Sequence, residues 1–228
     1  MDKPGLQVAI DGPASAGKST VAKIVAQRFN YIYCDTGAMY RAITWKALQA
    51  GADLGDEATV KDLLDHMTIR FEPGTPVQKV FVDDTEVTLA IRQPDVTNSV
   101  SQVSALPAIR QELTARQRQI ADAGGIVMDG RDIGSTVLPQ AEVKIFLVAS
   151  VDERAQRRLK DNAAKGITTP LATLKHEIEE RDRKDSTRKV SPLTQAADAI
   201  RLDTTSLSIE QVADRIAEII HEKELQQK

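Results

Sequence analysis

Residues 8–20, VAIDGPASAGKST, join a short apolar run to a glycine-rich loop that ends in Gly-Lys-Ser-Thr. From Gly12 to Ser19 the chain matches the pattern G-x-x-x-x-G-K-S/T in full. Glycine lets the backbone curl so that its N–H groups face phosphate oxygens, the lysine reaches the outer phosphates, and the hydroxyl of Ser19 can ligate Mg²⁺. A helix that begins near Lys18 adds its positive N-terminal end. The stretch therefore predicts a site for nucleotide phosphates, formed by Gly12, Pro13, Ala14, Ser15, Ala16, Gly17, Lys18, Ser19 and Thr20.

The composition is that of a globular chain of 228 residues with 41% hydrophobic, 28% charged and only 4% aromatic residues. A net charge of −3 gives no reason to expect nucleic-acid binding. Because Cys34 is the only cysteine, an internal disulfide and a cysteine-based zinc site are excluded. No signal segment and no apolar run of about 18 residues is present, so we expect no membrane span and a cytoplasmic location. No exposed apolar stripe stands out, and a monomer is expected.

Apolar runs alternate with helical patterns along most of the chain. Lys18–Phe29 has apolar residues at helical spacing, and Ser208 with Gln211 forms a capping box for a last helix whose isoleucines, Ile209 among them, are predicted to face the core. Five strands separated by helices predict an α/β fold with a five-stranded parallel sheet and helices on both faces. The predicted strands are 6–10, 31–34, 126–129, 143–149 and 200–205.

The alternation of apolar and polar residues in 68–88 interrupts this pattern. Turn signals at Pro73-Gly74 and Asp83-Asp84 predict antiparallel hairpins there rather than a crossover unit. Pro94 and Pro107 are each placed to begin a helix. The region 66–104 is therefore predicted to be an insert of antiparallel strands and a helix.

A phosphate loop alone is compatible with GTPase switches, motor ATPases and small-molecule kinases. The Asn-Lys-x-Asp segment typical of a GTPase is missing. A kinase also needs an acceptor site, and DTGAMYRA (35–42) with Arg41 and DGRDIGSTVLP (129–139) with Arg131 follow predicted strands, where α/β sheets bind ligands. Asp129 is placed to hold Mg²⁺ through water. Taken alone, Arg41 could be a solvated helix arginine, and Arg131 could form a local ion pair with the aspartates beside it.

Two helical tracts carry clustered charges. Arg154, Arg157 and Arg158 share one helix face, and residues 181–188 repeat the arrangement. Such faces are often simply solvated, but phosphoryl transfer needs cations around the migrating group. The segment 162–170 between the tracts is typical of a flexible lid. We expect Arg157, more than the other two arginines, to contact the transferred phosphoryl group or the donor nucleotide.

Five segments together resemble the bacterial cytidylate kinase family: the phosphate loop, DTGAMYR, VSQVSALPAIR (100–110), DGRDIGSTV and RDRKDSTR (181–188). The resemblance extends from about residue 6 to 220. Ser135 departs from it, either as an inserted loop residue or as a local variation. The resemblance implies a nucleoside-monophosphate kinase fold with a core at about 1–65, 105–153 and 186–228, an acceptor-binding insert at about 66–104 and a lid region at about 154–185.

The resemblance also implies the substrates, Mg²⁺·ATP and CMP or dCMP, and the residues that bind them. Arg41, Arg131 and Arg188 would hold the acceptor phosphate; Ser101, Arg110 and Asp132 would contact cytosine; Asp185, with Arg181 nearby, would meet the ribose. Thr36 and Tyr40 complete the implied substrate site. The implied catalytic residues are Lys18, Arg131, Arg157 and Arg188, and the metal ligands are Ser19 and, through water, Asp129.

The chemistry of the base supports this assignment separately. A carboxylate such as Asp132 can accept from the amino group of cytosine, whereas uracil presents a carbonyl there. Such a mismatch of buried polar groups can support discrimination of order 10⁴. Ser101 is also typical of a helix cap. The alternatives are a kinase for UMP or a non-nucleotide acceptor and, from another class, a nucleotide-binding switch that hydrolyses slowly.

Overall fold

The computed structural model describes residues 5–72, 78–164 and 166–226. The chain divides into two compact units. The first comprises Met1–Asp35 and Arg118–Lys228, and the second comprises Thr36–Gln117. The boundaries predicted for the core, the insert and the lid region stay predictions.

The first unit is built on a five-stranded parallel sheet, as predicted. Its strand order is β2-β6-β1-β7-β8, so the strand that precedes the phosphate loop is central. The carboxyl ends of parallel strands meet at one edge of the sheet, which is where α/β folds bind ligands. The strands are β1 (Gln7–Asp11), β2 (Ile32–Asp35), β6 (Ile126–Gly130), β7 (Val143–Val148) and β8 (Ile200–Asp203).

Helices α1 (Lys18–Phe29) and α8 (Ile209–Gln226) pack on one face of this sheet. Their apolar side chains form a buried cluster with alternate residues of β1 such as Val8 and Ile10. The intervening Ala9 is also fully buried, so the opposite face of the sheet is covered as well. Helices α6 (Val151–Ala163) and α7 (Leu171–Thr187) pack against each other.

The predicted cap at Ser208 begins α8, and a second serine cap begins α6. Ser208 and Gln211 bond reciprocally at the start of α8, and the hydroxyl of Ser150 accepts from the backbone N–H of Glu153 at the start of α6. The prediction that Ile209 faces the core is wrong, because this first residue of α8 is 50% exposed. The next isoleucines along the helix, Ile216 and Ile220, are buried as predicted.

The second unit contains the remaining helices and a three-stranded antiparallel sheet of order β3-β4-β5. Pro94 and Pro107 begin helices, as predicted. The turn expected at Asp83-Asp84 joins β4 to β5, whereas the turn expected at Pro73-Gly74 lies outside the described residues. The elements are α2 (Thr36–Gln49), α3 (Glu57–Asp65), β3 (Ile69–Glu72), β4 (Lys79–Val82), β5 (Thr85–Glu86), α4 (Pro94–Val103) and α5 (Pro107–Ala121), whose last turn belongs to the first unit.

Among the described residues, no helix combines the length and the apolar character needed to cross a membrane. Cys34 lies in β2 beside Met128 of β6 and is 1% exposed. Burial raises the pKa of its thiol.

Candidate functional site

The phosphate loop connects the end of β1 to the start of α1. Gly12, Ser15 and Gly17 have positive φ values of 148°, 60° and 90°, which curl the backbone between strand and helix. Gly12 is required there for space as well, since a Cβ atom would lie 2.2 Å from the carbonyl oxygen of Leu147. The loop thus has the conformation that the glycines of the motif predict.

Lys18 is buried in the first turn of α1, and its Nζ donates to the carbonyl oxygen of Pro13 at 2.7 Å. Burial and then the repulsion of Arg131 hold the pKa of this lysine well below its usual value. A buried cation held by one neutral carbonyl is electrostatically suited to an anionic partner such as a phosphate group.

Asp129 lies near the carboxyl end of β6, beside Ile10 of β1. Its two oxygens accept hydrogen bonds from the hydroxyls of Ser19 at 2.8 Å and Tyr33 at 2.9 Å. Burial, followed by the charge of Asp35, raises the pKa of Asp129 to about 6. The structure therefore brings together Ser19 and Asp129, the two residues predicted to serve Mg²⁺, with hard oxygen atoms of the type that this ion prefers.

Arginines and aspartates predicted for the acceptor site also cluster in the first unit. The guanidinium of Arg131 donates to Asp185 at 3.0 Å, and that of Arg188 lies 3.5 Å from Asp132. Arg181 lies 4.0 Å from Asp185, and its buried Nε has no hydrogen-bond partner among the residues that the structure describes. The arrangement brings together three cations and two carboxylates from the loop after β6, from α7 and from the residue that follows α7.

The charges in this cluster perturb one another. Burial favours the neutral form of Asp185, but Arg131, Arg181 and Arg188 outweigh it and hold its pKa below the usual value. Burial and the neighbouring charge of Arg131 lower the pKa of Arg181 to about 10. An anion that entered here would relieve the repulsion between the arginines.

The phosphate loop is bound by two side chains from the helices α6 and α7. The sequence indicated one of them only weakly and the other not at all. Arg154 of α6 donates to the carbonyl oxygen of Ala14 at 3.0 Å, and Asp182 of α7 accepts from the N–H of Ala14 at 3.3 Å. The two side chains form an ion pair of 2.6 Å. The sequence indicated a role for Arg154 through the helix face that it shares with Arg157. It gave no indication of a role for Asp182, because the partner of Asp182 is 168 residues away.

Arg157 contacts the end of β8. Its guanidinium donates to the hydroxyl and the carbonyl oxygen of Thr204 at 3.1 and 2.7 Å and to Glu153 at 2.9 Å. It also approaches the loop carbonyl of Ala16 at 3.5 Å. Arg158 pairs instead with Glu177 of α7 at 3.5 Å. The role expected of Arg157 on the donor nucleotide stays a prediction.

The segment after β6 forms a π-helical turn over Ile133–Val137. The carboxylate of Asp11, the last residue of β1, accepts from the backbone N–H groups of Ile133 and Gly134 at 2.8 Å each. Ser135, the departure from the family pattern, lies inside this turn. The sequence did not indicate a role for Asp11, because its hydrogen-bond partners are more than 120 residues away.

In the second unit, Arg41 of α2 is held by two polar groups. One of its nitrogens donates to the hydroxyl of Thr97 at 2.8 Å and to the carbonyl oxygen of Ile91 at 3.3 Å. Thr36 is the buried first residue of α2. The guanidinium of Arg41 is thus directed by groups of the insert, which the sequence did not indicate.

The remaining predicted acceptor residues form a second group in that unit. Arg110 of α5 is 2% exposed, donates to the carbonyl oxygen of Ser104 at 3.0 Å and lies over the ring of Tyr40, 5.2 Å from its centre. The hydroxyl of Ser104 donates to the carbonyl oxygen of Ser101 at 3.2 Å. Ser101 lies inside the last turn of α4, so the cap that a serine can form before a helix is not its role here.

A phosphate loop on the central strand of a parallel sheet, with arginines at the ends of the neighbouring strands, defines a P-loop kinase with the nucleoside-monophosphate kinase fold. The chain belongs to the cytidylate kinase family, whose sequence model matches residues 8–222.

The sequence similarity to known proteins covers almost the whole chain. The cytidylate kinase of Ligilactobacillus salivarius is 64% identical over 96% of this chain and 97% of its own length. That of Enterococcus faecalis is 60% identical over 96% of each. The crystal structure of shikimate kinase from Bacteroides thetaiotaomicron matches with a TM-score of 0.50 at 13% identity, over 95% of this chain and 98% of that one. This last likeness concerns the fold alone.

Proposed function

We propose that the protein, a kinase that phosphorylates CMP or dCMP with ATP to give CDP or dCDP and ADP, transfers the phosphoryl group directly and in line, without a phosphoenzyme. The observation that carries this proposal is the pairing of a complete phosphate loop with the Arg131, Arg181, Asp185 and Arg188 cluster in the same unit. A switch that only bound nucleotide would need no such cluster. Family membership over residues 8–222 supports the choice of acceptor.

On the donor side, the backbone N–H groups of the phosphate loop and the N-terminus of α1 would bind the β- and γ-phosphates of ATP. Lys18 would exchange the carbonyl of Pro13 for a phosphate oxygen, a better partner for a buried cation. Arg157, next to Ala16 and Thr204, would meet the donor nucleotide.

Ser19 and Asp129 fit a Mg²⁺ ion that arrives with ATP. Their oxygens are already adjacent, and Asp129 is oriented by the hydroxyl of Tyr33. Ser19 would ligate the ion directly and Asp129 through a water molecule. The ion would supply positive charge to neutralise the phosphates of ATP.

On the acceptor side, Arg41, Arg131 and Arg188 would bind the phosphate of CMP, and Asp185 with Arg181 would bind the sugar. Arg131 and Arg188 are held by Asp185 and Asp132, so the guanidinium groups are oriented before the nucleotide arrives. Preorganised cations of this kind lower the cost of binding a transferring group.

Cytosine would be selected by Asp132, Arg110 and Ser101. Asp132 would accept from the amino group of the base, and the buried guanidinium of Arg110 would donate to its acceptor atoms. Ser101 would complete the set. Uracil would place a carbonyl against the carboxylate of Asp132, leaving two acceptors without a donor.

The lid region at about 154–185, with the segment 162–170 as its flexible part, would close over the nucleotides. Closure would keep water from accepting the phosphoryl group, and the site would assemble only with both substrates bound. With small nucleotides as its substrates, the protein is further proposed to act as a monomer in the cytoplasm.

The test is ATP consumption with Mg²⁺ and CMP, dCMP, UMP, AMP, GMP or no acceptor. Strong turnover with CMP and dCMP, and little with UMP or no acceptor, is the expected result. Turnover led by UMP would contradict the base contacts, and equal turnover in every tube would indicate a hydrolase. A phosphorylated form of the protein after incubation with ATP alone would overturn direct transfer. Mass spectrometry of the intact protein would detect the added phosphoryl group.

A further inference from the structure

Asp11 is a buried carboxylate that neither the phosphate loop nor the acceptor contacts use. It is 4% exposed, and each of its two oxygens accepts one backbone N–H, from Ile133 and from Gly134, at 2.8 Å. Burial raises its pKa to about 6, against these two hydrogen bonds, which favour the charged form. Because both oxygens of Asp11 bind the same segment, that segment is where its effect is expected.

That segment follows Asp132 directly. The carbonyl oxygen of Asp132 accepts from the N–H groups of Thr136 and Val137 at 2.9 and 3.1 Å, which closes the π-helical turn. Asp11 holds the N–H groups of the first two residues of the same turn. The backbone of Asp132 is therefore fixed by a turn that is itself anchored to the central strand of the sheet.

We propose that Asp11 is a positioning residue that sets the preference for CMP over UMP by holding Asp132 in place. This inference rests on the proposed contact between Asp132 and the amino group of cytosine. Asp11 does not touch the nucleotide base; it acts through the turn at Ile133 and Gly134. Selectivity that depends on hydrogen-bond geometry falls steeply when the selecting group moves by a fraction of an ångström.

The surroundings leave the turn little freedom to adjust. A Cβ atom at Gly134 would lie 3.2 Å from Cδ of Lys144 and 3.5 Å from an oxygen of Asp11. Lys144 is itself buried and donates to Asp198 and to the carbonyl oxygen of Pro139. Asparagine at position 11 has one carbonyl oxygen and one NH₂ group, so one of the two backbone N–H groups would face a donor.

The experiment compares Asp11→Asn with Asp132→Asn and with a control, Asp203→Asn. Asp203 ends β8 and accepts from the N–H of Thr205, but it is exposed. For each variant, kcat/KM is measured for CMP and UMP on one preparation, together with the KM for ATP. The CMP/UMP ratio does not depend on the folded fraction, so partial misfolding of a variant cannot imitate the effect.

We expect Asp11→Asn to lower the CMP/UMP ratio by roughly 10- to 100-fold, with a much smaller change in the KM for ATP. Asp203→Asn should leave the ratio unchanged. An unchanged ratio in Asp11→Asn beside a lowered ratio in Asp132→Asn would overturn the inference alone. An unchanged ratio in Asp132→Asn would instead overturn the proposed reading of cytosine. A KM for ATP that rises as much as the ratio falls would assign Asp11 to the phosphate loop and refute the inference.

Discussion

Replacing Arg154 with methionine should both destabilise the protein and weaken ATP binding. The side chain of Arg154 is 5% exposed and contacts three groups: the carbonyl oxygens of Ala149 and Ala14 and the carboxylate of Asp182. Methionine keeps much of the aliphatic length but donates no hydrogen bond. One buried carbonyl, one half-buried carbonyl and one carboxylate would lose their donor together.

The magnitude follows from these contacts. An unsatisfied buried polar group costs about 1–3 kcal/mol, and breaking a buried ion pair costs about 3–5 kcal/mol. Asp182 is 23% exposed, so water can solvate part of its charge, and the lower end applies. The free energy of unfolding should therefore fall by about 3 kcal/mol, which for a chain of this size lowers Tm by roughly 6–12 °C.

The assay is thermal unfolding followed by circular dichroism, with ATP titrations on the folded variant. The control is Arg183→Met on α7, because the side chain of Arg183 is 63% exposed and pairs with Glu180 of the same helix. That change should leave the Tm close to the wild-type value. The affinity for ATP should fall in Arg154→Met, since Ala14 belongs to the loop that binds phosphate. Equal Tm values for the two variants, or an unchanged ATP affinity, would refute the reasoning.

Three further outcomes are expected. The pKa of Asp11 is raised to about 6, so the native protein binds the proton of this carboxyl group more tightly than the unfolded chain does. The contribution of this group to the free energy of unfolding is therefore complete below about pH 4, and about 3 kcal/mol of it is lost as the pH rises through 6. Urea unfolding from pH 4.5 to 7.5 should show that slope, and Asp11→Asn should reduce it without abolishing it, because the pKa of Asp129 is also raised to about 6; parallel curves for the two proteins would contradict it. Lys18→Met should lower kcat by at least about 10²-fold in the coupled ATP assay. Thr97→Val removes one acceptor of Arg41 and should raise the KM for CMP about fivefold, with little change for ATP, in initial-rate kinetics.

The predictions that succeeded rest on local sequence. The phosphate loop, the five strands and the helix starts at Pro94 and Pro107 depend on residues a few positions apart, so a short stretch carries the whole signal. Ile209 shows the limit of periodicity, because a residue at the start of a helix can match the apolar spacing and still extend beyond the sheet that the helix covers.

The contacts that escaped prediction join distant parts of the chain. Asp182 meets Ala14 across 168 residues, and Asp11 meets Ile133 across 122. An aspartate in a charged helix such as α7 is usually solvated, and only the packing of α7 near the phosphate loop gives this one a buried partner. Thr97 has no sequence signal either, since a hydroxyl becomes a ligand of Arg41 only after α2 and α4 pack together.

The single thiol of the chain has a practical consequence. Cys34 is buried in β2 beside β6, and burial raises the pKa of its thiol, so the folded sheet offers almost no thiolate to a disulfide reagent. Modification of the Cys34 thiol then requires the edge strand β2 to separate locally from β6. The rate of thiol labelling measures how often this opening occurs. The labelling rate of Cys34 in the wild-type protein therefore reports local unfolding of β2, the strand that leads to the acceptor residues. No cysteine has to be introduced for this measurement.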